Sequence, residues 1–177
     1  MQQAENNLSA FPKDVDAILS TAAGCGSAMH EYPLLLAKSK HATESKEFAA
    51  KTKDILTYLN SIGIETPPPL ARPLRVAYHD ACHLAHAQRE TQAPRRLLAT
   101  IRGLTQVPIA DSDLCCGSAG TYNMDQPETA NQLGERKAKT ILDTQCDFVA
   151  LANIGCEIQI VNHLQKLGSD RPVLHVV

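Results

Sequence analysis

Apolar residues along this chain fall into short runs that alternate with stretches of helical period, which predicts strands followed by helices. The run DAILST (16–21) predicts a buried strand that ends in Ala22-Ala23-Gly24-Cys25-Gly26. A helix follows to about Lys38, with Pro33 in its first turns or breaking it. Between Thr43 and Ile62, the residues Phe48, Ile55, Leu59 and Ile62 share one face, with Lys, Glu and Asp between them. That spacing predicts one amphipathic helix stopped by Gly63. Residues 1–12 are polar and are predicted to be loose.

TPPPLARP (66–73) is a linker, because three consecutive prolines favour extended backbone and exclude a helix. Beyond it the alternation becomes regular. Strands are predicted at LRVAYH (74–79), TQVPIA (105–110), DFVALA (147–152) and VLHVV (173–177). Helices are predicted between about His83 and Arg102 with an interruption at Pro94, from Gln126 to Leu142, and from Cys156 to Leu167 with Gly168 as the stop. Strands separated by helices specify an α/β protein with a parallel sheet and flanking helices. AILSTAAGC (17–25) and FVALANIGC (148–156) form an internal repeat, each an apolar run ending in Gly-Cys ahead of a helical segment.

Composition narrows the picture in three ways. Aromatic residues make up only 4% of 177, so Leu, Ile, Val and Ala must build the core. Nineteen acidic against 17 basic side chains argue against a nucleic-acid partner. The opening residues lack the basic and apolar regions of a secretory signal, and no run approaches the ~18 apolar residues of a spanning helix. A cytoplasmic, reducing environment is expected, where clustered cysteines mean metal, cluster or redox chemistry more often than structural disulfides.

Of six cysteines, four form a pattern: Cys82, the adjacent pair Cys115-Cys116 before Gly117, and Cys156. Each lies just past the carboxyl end of a predicted strand, and in an open parallel sheet those ends share the edge where ligands bind. Three distant segments would thus bring four thiols together near helix N-termini, which favour thiolates. Thiolates are the soft ligands of iron–sulfur clusters and of zinc. Gly117 and Gly155 would let the backbone approach such a site. Cys146 lies off the pattern and reads as a packing residue. His79, His83 and His86 bracket Cys82 and would make a mixed His/Cys zinc site or plain polar surface. Asp80 and Asp113 read as caps of turns or helices. Gly117-Ser118-Ala119-Gly120 reads as the backbone wall of the cysteine site. Arg136, Lys137 and Lys139 read as a solvated helix face.

YHDACHLAHAQ (78–88), DLCCGSAGTYN (113–123) and ANIGC (152–156) together resemble the CCG cysteine-rich domain family, and most closely its glycolate oxidase iron–sulfur subunits. The family pattern is a cysteine, a Cys-Cys-Gly and a Cys-x-x-Cys, usually present twice per chain. The resemblance implies one complete repeat over 74–177, the C-terminal remnant of a preceding repeat over 1–65, and a connector at 66–73. It implies an iron–sulfur cluster, of 4Fe-4S type, on Cys82, Cys115, Cys116 and Cys156, with Cys25 left from the earlier site.

This sequence departs from the pattern at two places. Asn153 and Ala22 stand where the family has the first cysteine of Cys-x-x-Cys. Cys116 and Cys156 are 40 residues apart, whereas only 24 residues precede Cys25, so its matching Cys-Cys-Gly would fall before Met1. The resemblance therefore implies the C-terminal fragment of an electron-transfer subunit. Its partners would be flavin-containing oxidase subunits, the missing N-terminal ferredoxin-like portion and, through the complex, the face of a membrane. No bond chemistry on a 2-hydroxy acid such as glycolate is expected of this chain itself. Two other functions fit the residues: a zinc-binding structural or assembly module, and a thiol–disulfide switch at Cys115-Cys116.

Overall fold

The computed structural model describes residues 1–177 and contains two parallel sheets with helices packed around them. The expected α/β architecture is present. The first segment runs α1 (Gln2–Ala10), β1 (Ile18–Ser20), α2 (Ala23–His30), α3 (Tyr32–Leu35), α4 (Ala42–Lys51), β2 (Thr52–Asp54) and α5 (Ile55–Ile62). The second runs β3 (Leu74–Tyr78), a π-helical turn (His83–Ala87), α6 (Gln92–Ala99), β4 (Leu104–Val107), α7 (Tyr122–Asp125), α8 (Pro127–Asp143), β5 (Phe148–Leu151), α9 (Ile154–Lys166) and β6 (Val173–His175).

β1 and β2 form a two-stranded parallel sheet in the register Ile18–Thr52, Leu19–Lys53 and Ser20–Asp54. The four later strands form a parallel sheet in the order β4-β3-β5-β6. The two inner strands, β3 and β5, each end in three consecutive buried residues, as expected of parallel strands covered on both faces. The main core joins Ala77, Val149 and Leu151 of these strands to Ile141 of α8 and to Ile160 and Leu164 of α9. Ala23 and Leu56 of the first segment enter the same core. Cys146 lies in it too, 2% exposed, in keeping with a packing role.

Three expectations from the sequence are corrected. Residues 1–12 are not loose: Gln2–Ala10 is helical because Ala4 and Leu8, four apart, share a buried face. That face packs against Ile18, Tyr32, Leu36 and Phe48 in a second core. The single helix over 43–62 is broken, since Thr52–Asp54 leaves helical geometry to pair with β1. Asp54 then restarts the chain as α5 by accepting the Leu56 backbone N–H at 2.9 Å. The helix expected over 83–102 is also two elements, a π-turn and then α6, with Pro94 in the first turn of α6 where its missing N–H costs nothing. No helix is long and apolar enough to cross a membrane.

A candidate metal centre at the strand ends

The carboxyl ends of β3, β4 and β5 point to one edge of the sheet, and the four patterned thiols gather there. Cys82 sits between β3 and the π-turn, Cys115 and Cys116 lie in the loop that leaves β4, and Cys156 is in the first turn of α9. That helix starts two residues before the expected position, so the Cys156 thiol lies among its unpaired backbone N–H groups. Cys116 and Cys156 are buried, whereas Cys82 and Cys115 are half-buried at the mouth of the site.

In the order Cys82, Cys115, Cys116, Cys156, each thiol shifts the pKa of the next. Contacts from Cys116 and Cys82 hold the Cys115 thiol well below its ordinary pKa, and a contact from Cys116 lowers that of Cys156. Donation toward Cys115 raises Cys82 and Cys116, with burial adding to both. In that order the raised pair, Cys82 and Cys116, alternates with the lowered pair, Cys115 and Cys156. All four would have to deprotonate for a soft metal to take the set.

Glycines let the backbone close around these sulfurs. Gly117 has φ of 89°, donates its N–H to Cys115 Sγ at 3.3 Å, and would place a Cβ 2.4 Å from the Ala130 carbonyl oxygen. Gly155 passes Ser118 so closely that a Cβ would lie 2.8 Å from its Oγ. Gly117 and Ser118 thus line the site, while Ala119 and Gly120, expected to share that wall, are exposed. Asn153, standing where the family pattern has a cysteine, donates from Nδ2 to Cys156 Sγ at 3.4 Å and accepts the Gly24 N–H on Oδ1 at 3.2 Å. The first segment is tied to this edge again by Ala23 N–H to the Ala152 carbonyl at 3.2 Å. His175 Nε2 reaches the Thr21 carbonyl at 2.7 Å.

The three histidines around Cys82 part company. His86 is exposed and reaches the Asp113 carbonyl at 3.5 Å, while His83 Nδ1 lies 3.6 Å from Cys82 Sγ. His79, 1% exposed, stands with a ring nitrogen within 4.8 Å of both Cys116 Sγ and Cys156 Sγ. Cys25 is not brought to the cluster. It occupies the third residue of α2, as Cys156 does in α9, but is exposed and free.

Two charged groups differ from their sequence reading. Asp80 is an ion-pair partner rather than a cap, held by both Arg95 guanidinium nitrogens at 2.7 Å. Lys137 is no part of a solvated face: it is fully buried, while Arg136 and Lys139 remain exposed. Its Nζ donates to the Asp111 carbonyl at 2.6 Å, which ties α8 to the loop bearing Cys115 and Cys116. Burial pushes the Lys137 amine below its ordinary pKa, against the pull of Cys116 and Asp111. Only helical phase could have hinted at this, since Lys137 lies next to Ala138 and three residues after Gly134, both buried.

Residues 76–161 match the profile of the cysteine-rich domain family called CCG. The chain is 33% identical over 171 residues to the probable glycolate oxidase iron-sulfur subunit of Bacillus subtilis, covering 95% of this chain and 37% of that protein. It is 31% identical over 173 residues to the glycolate oxidase iron-sulfur subunit of Escherichia coli, covering 95% of this chain and 41% of that one. Lactate utilization protein A of Geobacillus thermodenitrificans is 27% identical over 164 residues, covering 92% of this chain and 69% of its own length. The chain thus spans about two-fifths of the length of the glycolate oxidase relatives.

Proposed function

Residues 76–161 belong to the CCG cysteine-rich domain family, and from that premise we propose that this chain is the iron–sulfur, electron-carrying part of an oxidase-type complex acting on a 2-hydroxy acid such as glycolate. The observation that carries the proposal is the convergence of four thiols from three strand ends on one partly enclosed site. The residues fit such a group. Their donors are soft sulfurs, and the adjoining imidazole of His79 is buried with neither nitrogen partnered, as a ligand awaiting its metal would be. The names of the relatives point to iron–sulfur chemistry in the same direction.

Cys82, Cys115, Cys116 and Cys156 would hold the cluster, of 4Fe-4S type. When bound, it supplies a one-electron redox couple without bond chemistry on the substrate. The protein's own groups tune and protect that couple. Gly117 N–H and Asn153 Nδ2 direct hydrogen bonds at two of the sulfurs, the first turn of α9 favours negative charge, and buried Lys137 places a cation behind the loop of Cys116. Electrons would arrive from a flavin-bearing partner and leave to an acceptor at a membrane face. Residues 74–177 would form one complete repeat, 66–73 a connector and 1–65 the end of a preceding repeat. The matching positions of Cys25 and Cys156 support that division.

The test is anaerobic reconstitution with iron and sulfide. Bound iron and sulfide with broad absorption near 400 nm is the expected result, and a chain that takes up neither overturns the proposal. The close set His79, Cys116 and Cys156 also favours a second reading, a single soft ion such as zinc in a structural site. One zinc and no iron in the purified protein would establish it.

A further inference from the structure

His79 follows the last residue of β3 and extends the sheet ladder, donating its backbone N–H to the Ala150 carbonyl at 2.9 Å. The ring is thereby fixed at the carboxyl end of an inner strand. It is buried, and its Nδ1 and Nε2 both lack a hydrogen-bond partner, which makes His79 the one residue with two such orphaned atoms. Native interiors rarely leave a buried polar group unpaired, and the exceptions ask for a water, an ion or a catalytic role. The groups facing the ring are the sulfurs of Cys116 and Cys156, both buried and within 4.8 Å. Neither His83 nor His86 is in this position, since each already has a polar partner.

We propose that His79 is itself a metal ligand, so that the centre is a mixed imidazole–thiolate site rather than an all-thiolate one. The inference rests on the reading of this edge as a metal centre and adds a donor to it. Metal bonds of ~2.0 Å to nitrogen and ~2.3 Å to sulfur are of the right size to join these three donors after small side-chain adjustments. A neutral imidazole adds a donor without the negative charge that a further thiolate would bring, so the reduction potential stays higher than it would with a cysteine at this position. Iron and zinc both accept this donor combination, so the proposal concerns the ligand set and not the identity of the metal.

Histidine-specific 15N labelling of the full 177-residue chain, followed by anaerobic reconstitution and pulsed paramagnetic resonance of the reduced centre, tests this directly. If the native metal is zinc, Co(II) substitution gives the same readout. The expected result is nitrogen coupling of a directly bound imidazole, changed by the 14N-to-15N exchange, lost in His79→Gln and retained in His83→Gln. His79→Cys should lower the reduction potential of the centre. A loaded wild-type centre without nitrogen coupling overturns the inference and leaves the proposed function standing. Wild-type protein that takes up no metal overturns both. The labelled wild type decides the question even if His79→Gln fails to fold, and circular dichroism of that variant identifies such a failure.

Discussion

Two strand–helix units in this chain are built alike and end differently. β1 leads into α2 and β5 into α9, and each places its cysteine at the third residue of the helix, directly after a glycine. Cys156 becomes one of four clustered thiols, whereas Cys25 remains exposed. The difference lies in the neighbours. β5 is flanked by β3 and β6, and the segments leaving β3 and β4 deliver Cys82, Cys115, Cys116 and His79 to its carboxyl end. β1 has a single neighbour, β2, which delivers Asp54 and no thiol. A Gly-Cys turn fixes where a thiol stands along a helix, but thiols cluster only where other strands bring donors to the same edge.

The largest test of this contrast is to remove one cysteine from each unit. Cys156→Ser should abolish uptake of iron or zinc, and Cys25→Ser should leave it unchanged, as measured by metal content after reconstitution. Equal loss in both variants would make the two units functionally equivalent and sink the comparison.

Asn153 joins the units, since it touches both the Gly24 N–H and Cys156 Sγ. Asn153→Ala should weaken metal affinity roughly 10–100-fold, the usual cost of losing a partner that orients a ligand. Competition with a chromogenic chelator would measure it.

The matched glycines sharpen the contrast further. An added Cβ at Gly155 would lie 2.8 Å from Ser118 Oγ, but at Gly24 it would lie 3.6 Å from its nearest neighbour, Asn153 Oδ1. Gly155→Ala should therefore lose about 1 kcal/mol or more through overpacking. Gly24→Ala should be neutral, or gain up to ~1 kcal/mol from helix propensity. Urea denaturation of the metal-free protein would separate them.

The smallest effect is a pH dependence confined to one unit. α9 packs on α8 through His163, whose ring fits over Gly134 and shares a contact with Gln159 Nε2 at 3.4 Å. Burial holds the His163 pKa below its ordinary 6.5. Its folded form resists protonation, so its contribution to stability is complete above pH ~6.5 and is lost as pH falls through the lower folded value. Relative to the intrinsic exchange rate at each pH, the protection of α9 amides should then fall on going from pH 7 to 5 while that of α2 changes little, and His163→Gln should remove the difference.

Much of the fold is legible in the residues themselves. The apolar runs at 74–79 and 147–152 identify the inner strands because parallel strands covered on both faces need continuous apolar sequence. The helical period over 43–62 is equally clear, yet it misleads at Thr52–Asp54. Three residues of sheet pairing with β1 override the local preference there, and no local pattern reveals a partner more than 30 residues away. The amphipathic spacing of Ala4 and Leu8 was present but weak, and it gains its meaning only from Tyr32, Leu36 and Phe48.

The candidate site divides along the same line. The sequence by itself determined which thiols lie at strand ends, because the strand-to-helix transition that places them is a local property of each segment. Only the tertiary structure decided that Cys25 is left exposed, that His79 rather than His83 or His86 faces the buried sulfurs, and that Lys137 is enclosed behind the Cys116 loop. Those outcomes depend on strand order and on the packing of α8 and α9 against the sheet, and such long-range contacts are not encoded in the neighbourhood of any one residue.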